Sequence, residues 1–208
     1  MSRRTVLTVA AIPFALALAL GASSQRLVDR WWPTFPHDRI AASPDGSVTL
    51  RDTLKDAKGE HPRVITMRLA SARTVTSYQE APGEDVVPFT LPDGQVMWRF
   101  VVRFDVDPDM VVGACTVQVR DARGREFRPG VGYAVPDVLD TPGCTPPGAP
   151  GPMAALSKDS VDPPPDPPRP ASYERWYAVI MPAGVRPHDL RIWFDTPLYA
   201  EFPVTATG

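Results

Sequence analysis

Apolar and polar residues alternate with a period of two along most of the chain after residue 46. The clearest stretch is 96–107, where Trp98, Phe100, Val102, Phe104 and Val106 alternate with Arg99, Val101, Arg103, Asp105 and Asp107. A strand puts those sets on opposite faces, one apolar and one mostly charged; a helix would scatter the charges around its circumference. Shorter runs at 48–50, 64–75, 115–120, 175–181, 190–194 and 198–204 read the same way. In the second of them Ile65, Met67 and Leu69 alternate with Thr66, Arg68 and Ala70. Asp121-Ala122-Arg123-Gly124 predicts a hairpin turn returning through Glu126 and Phe127. Further turn signals stand at Ser43-Pro44-Asp45-Gly46, Pro182-Ala183-Gly184 and Thr196-Pro197. Seven or eight short strands, with neither a βαβ alternation nor an internal repeat, predict an all-β antiparallel sandwich over residues 47–204, with 205–208 as a tail.

Two stretches break the pattern. The first is N-terminal. Arg3 and Arg4 precede an uncharged run, 5–22, rich in Ala and Leu and long enough as a helix to reach across a bilayer. Residues 1–4 are therefore expected in the cytoplasm, 5–24 as one transmembrane helix, and the remainder outside. Small residues at Ala17, Ala19 and Gly21 also suit a signal peptidase, so cleavage and secretion is the alternative. Trp31 and Trp32, placed where a membrane–water interface would lie, favour the anchor. Ser2-Arg3-Arg4-Thr5-Val6-Leu7 is similar to a twin-arginine export signal. Residues 25–46, broken by Pro33, Pro36 and Pro44, read as a stalk.

The second departure is 136–172. Eleven prolines fall between Pro142 and Pro170, among them Pro163, Pro164 and Pro165. Proline cannot donate to a ladder, so this is expected to be an insertion between two strands, partly polyproline II and partly disordered. A stiff solvated loop is the simpler use of such a run; a ligand for an aromatic groove is the other.

Composition narrows the function classes. The 208 residues include 26 Pro and 14 Gly, which argues against a helical bundle, and a net charge of −2 gives no footprint for nucleic acid. Cys115 and Cys144 are an even pair in an oxidising compartment, so they are expected to form a disulfide. Its loop of about 30 residues would contribute on the order of 3–4 kcal/mol.

Little chemistry is written in the chain. His37, His61 and His188 are isolated, with no H-E-x-x-H, no G-x-S-x-G elbow and no phosphate loop. Asp105, Asp107 and Asp109 alternate as in a calcium loop. However, Pro108 interrupts them, no Gly follows at the sixth place, and Thr116 stands where Glu would close the site. No metal, cofactor or catalytic residue is expected, and the chain reads as a non-enzyme. An enzyme would need His188 beside Asp189 or another carboxylate, with a hydroxyl in the same pocket. Residues 176–181 are apolar on both parities, and Trp193 alternates outward from Leu190, Ile192 and Phe194. These strands are either covered on both faces, with the Pro-rich insertion folding back over them, or they present an apolar patch for a partner.

Three stretches carry a resemblance. They are Asp121-x-x-Gly124-Arg125-x-Phe127 after a strand-borne Cys115; Glu174-Arg175-Trp176-Tyr177-Ala178-Val179-Ile180-Met181-Pro182-Ala183-Gly184; and Leu190-Arg191-Ile192-Trp193-Phe194. Together they resemble immunoglobulin-like domains of unknown function in exported or membrane-anchored actinobacterial proteins, over about residues 46–204, with the Pro-rich insertion as a departure. The resemblance implies a fold and a compartment and brings no catalytic residues. The expected function is protein–protein contact in the bacterial envelope, through Trp176, Trp193 and the Pro163–Pro165 run, with an envelope or membrane protein as partner. A module binding a small ligand or glycan through an aromatic such as Trp98 or Trp193 is the alternative.

Overall fold

The computed structural model describes residues 32–78, 87–130, 143–159 and 167–205, together with Leu18, Gly21 and Asp29. A 3₁₀ turn, Trp32–Thr34, precedes eleven strands: β1 (Asp38–Ala41), β2 (Ser47–Asp56), β3 (Gly59–Val75), β4 (Ser77–Tyr78), β5 (Val87–Pro88), β6 (Gln95–Asp105), β7 (Thr116–Asp121), β8 (Glu126–Phe127), β9 (Ser172–Pro182), β10 (Pro187–Trp193) and β11 (Leu198–Pro203). They form a five-stranded sheet, β1-β11-β10-β7-β8, and a four-stranded sheet, β2-β3-β6-β9, with β4 and β5 as a small separate ladder. The two larger sheets pack as a sandwich. The four-stranded one supplies Leu50, Ile65, Met67, Phe100, Val102 and Phe104 to the core; the other supplies Val117, Val119, Leu190, Ile192 and Phe202. Period-two alternation thus does its expected work, one parity inward and the other outward.

Three observations refine the reading of the sequence. In β3 the register slips by one residue between Leu69 and Ser71. Inward positions are Ile65 and Met67 before this bulge and Ala72 after it, because one extra residue reverses the parity of everything downstream. The strand expected at 48–50 is far longer. All ten residues of β2 pair with β3, out to Asp56 opposite Gly59, and the charged residues Arg51, Asp52, Lys55 and Asp56 had masked it. The stretch read as a stalk contributes a strand. Residues Asp38–Ala41 pair with β11 in parallel, an exception to the antiparallel expectation, and the Pro197 carbonyl accepts from the N–H groups of His37 and Asp38, each at 3.0 Å.

Part of the Pro-rich insertion is packed. Arg169 is 1% exposed and its guanidinium donates to the carbonyls of Pro150 (3.0 Å), Asp107 (2.6 Å) and Met110 (2.6 Å). Asp56 accepts from the Ala155 N–H at 2.9 Å, while the Ala155 carbonyl accepts from the Ala57 N–H at 3.1 Å. The insertion is therefore held between the β2–β3 hairpin and the 107–110 turn. Pro163, Pro164 and Pro165 lie outside the described residues. So does the apolar segment 5–24, apart from Leu18 and Gly21. Among the described residues no helix is long and apolar enough to cross a membrane.

Candidate functional site

Cys115 and Cys144 form the disulfide, with Cα atoms 5.9 Å apart and a sequence separation of 29. Cys144 is buried in the core beside β9: its sulfur lies 3.3 Å from the Tyr177 hydroxyl, and its carbonyl accepts from the Tyr173 hydroxyl at 2.9 Å. Arg175 Nε donates to the neighbouring Gly143 carbonyl at 3.1 Å. Burial pushes the Tyr173 hydroxyl up to about 12 and that of Tyr177 further, so both stay protonated as structural donors. The bridge thus ties the insertion to both sheets at once.

Trp176 points away from this core. It stands on the outer face of the four-stranded sheet, partly buried, with the Arg99 guanidinium 5.5 Å from its ring centroid. Arg99 pairs across strands with Arg73, and two steps further along the same face Arg103 pairs with Arg68. Arg68 and Arg103 have acidic neighbours, Asp45 at 2.9 Å and Asp105 at 3.3 Å. Arg73 and Arg99 form no ion pair among the described residues, and Arg99 Nε is buried without a hydrogen-bond partner. Desolvation, and then the Arg73 charge, depress the basicity of Arg99; Glu174 partly restores it.

Trp193 lies on the outer face of the other sheet, on the parity opposite Ile192, but is only 9% exposed. It offers little area to a partner. Along this face runs a charge network. Asp189 is 2% exposed and accepts from Arg120 Nε at 3.0 Å, Arg191 Nε at 3.1 Å and His188 Nδ1 at 3.0 Å. Glu201 takes Arg191 Nη2 at 2.9 Å and Arg39 Nη1 at 3.0 Å. Burial alone would raise the Asp189 carboxyl, but Arg120, His188 and Arg191 outweigh it and hold it below the ordinary carboxylate value.

Beside this network, where the β3 bulge faces β1 and β11, opens a cleft of about 720 Å³ lined by Arg39, Ser43, Ser71, His188, Glu201 and Thr205 among others. His188, Glu201 and the hydroxyl-bearing Ser43, Ser71 and Thr205 therefore line one cleft, and Asp189 hydrogen-bonds His188. Asp189 is shared between two guanidiniums and the imidazole, and no serine or threonine among the described residues hydrogen-bonds that imidazole. At the strand end, Asp107 accepts from the Asp109 N–H at 2.9 Å and Asp105 engages Arg103. Among the described residues no group of three His, Cys, Asp or Glu is placed to hold a metal. Trp98 is buried, with its ring 6.3 Å from that of Phe100.

The chain matches no family model, no curated protein and no solved structure. Geometry alone must carry the functional reading. The feature that sequence reasoning missed is the Arg73–Arg99 opposition. Extended from Ile65 and Met67, the alternation would send Arg73 inward, and only the bulge turns it outward beside Arg99.

Proposed function

We propose that the chain is an extracytoplasmic contact module: an immunoglobulin-like sandwich, held outside the membrane by its N-terminal apolar segment, that works by binding an envelope protein. The observation that carries this reading is β9. It is a terminal strand of its sheet, eleven residues long, and no strand among the described residues pairs with its outer edge. The opposite edge strand, β2, bears four charged side chains, a common protection against edge pairing. β9 has only Glu174 and Arg175, followed by six consecutive apolar residues that include Trp176. A sheet edge that no described strand pairs, beside an aromatic side chain, suits addition of a partner strand. The disulfide supports the compartment, since such bonds persist where the milieu is oxidising.

A photo-crosslinking side chain at the exposed Glu174, with Lys55 on β2 as control, tests the reading in intact producing cells. One recurrent envelope protein joined at 174 and not at 55 is expected. Scattered or absent products at both positions would contradict it. The second reading, a module for a small polar ligand, is favoured by the cleft beside the β3 bulge. His188→Ala, which clears one wall of that cleft, would weaken a ligand there and leave crosslinking at 174 unchanged.

A further inference from the structure

We infer that Arg73 and Arg99 form an oxyanion-recognition pair, and that the partner docking on the outer face of the four-stranded sheet presents an acidic peptide segment to it. This rests on the contact-module reading above and names the chemistry of that partner. Six described arginines are buried or partly buried: Arg63, Arg99, Arg120, Arg169, Arg175 and Arg191. Five donate hydrogen bonds to carboxylates or carbonyls. Arg99 alone among them makes none with the described residues, and its Nε is buried. Directly opposite it stands a second cation, Arg73, exposed and without an ion pair among the described residues. Like charges directly across a ladder are unfavourable, so a missing anion would relieve both. Guanidinium forks suit carboxylates bidentately, and the Trp176 ring packs against one of them, 5.5 Å from the Arg99 guanidinium carbon. The apolar positions around the pair, Val101 and Ile180, suit a peptide that carries acidic side chains on an otherwise extended backbone.

The test is fluorescence anisotropy of the full chain with fluorescein-labelled hexaglutamate, with inorganic phosphate in a parallel arm. Saturable binding is expected, weakened about tenfold by Arg99→Gln and by Arg73→Gln, the second at an exposed position that does not disturb the fold. Arg99→Lys keeps the charge without the fork and should also weaken binding, whereas Arg186→Gln, ahead of β10 in the other sheet, should not. Absence of saturable binding would overturn the inference. So would equal weakening by Arg186→Gln, or binding of phosphate without binding of peptide. The crosslink at Glu174 separates the two levels. A partner captured equally by wild type and Arg99→Gln would remove the acidic-peptide assignment and leave the contact module standing; no recurrent partner would remove the module itself.

Discussion

Arg63 shows how single residues hold the end of this sandwich. It is 1% exposed, grips Asp52 through Nε (2.7 Å) and Nη2 (2.6 Å), reaches Asp195 at 2.8 Å and the Val112 carbonyl at 2.6 Å, and lies over the Phe194 ring. Removing one partner of such a cluster strands the other in a low-dielectric place. Arg63→Ala is expected to cost about 3 kcal/mol in chemical denaturation, and a change below about 1 kcal/mol would show that water replaces the guanidinium there. The carboxylates give a pH signature. Asp121 is held below its ordinary value despite its burial by Arg125 and two backbone N–H groups, and Asp189 likewise by Arg120, His188 and Arg191. Carboxyls lowered on folding bind protons more weakly in the native state. Their contribution is complete above the unfolded value of 3.8 and disappears as the pH falls through the folded values. Thermal midpoints should therefore drop steeply below that value in wild type, and the drop should be shallower in Asp189→Asn.

At the scale of elements, the docked half of the insertion depends on one close approach. A Cβ at Gly151, where φ is +76°, would sit 2.7 Å from Arg169 Nη1. Arg169 is the clamp, so Gly151→Ala should loosen the 143–159 segment and raise its proteolysis while the sheets stay intact; limited trypsin digestion with mass mapping checks it. The strands themselves were legible because one buried face forces a period-two pattern. β6 shows it across nearly its whole length. What was not legible has a common cause, namely register and long-range pairing. β1 carries only Ile40 as an inward apolar residue, and it is a strand because β11, far along the chain, offers an edge. The β3 bulge has no signature in composition, and yet it decides which way Arg73 points. Trp176 was visible as a site residue because its strand is apolar on both parities; its partner Arg99 was visible only as one charge on a polar face.

On the scale of the whole molecule, the Cys115–Cys144 bridge joins the start of β7 to the insertion, and through Tyr173 and Tyr177 to β9. Closing a loop of that size contributes about 3–4 kcal/mol, so reduction should lower the unfolding free energy by that amount without erasing the strand signal in circular dichroism. The same bridge bears on where the domain works. If the sandwich acts outside the cytoplasm, both cysteines are oxidised there and the folded domain faces the medium or the periplasm. The most direct measurement is thiol trapping in intact producing cells: acid quench, alkylation with a mass-tagging maleimide with and without prior reduction, and electrophoresis of the protein as the cells make it. Display outside predicts that Cys115 and Cys144 take up the tag only after reduction. Tagging of both without reductant would place the domain among reduced thiols and contradict an extracytoplasmic contact module.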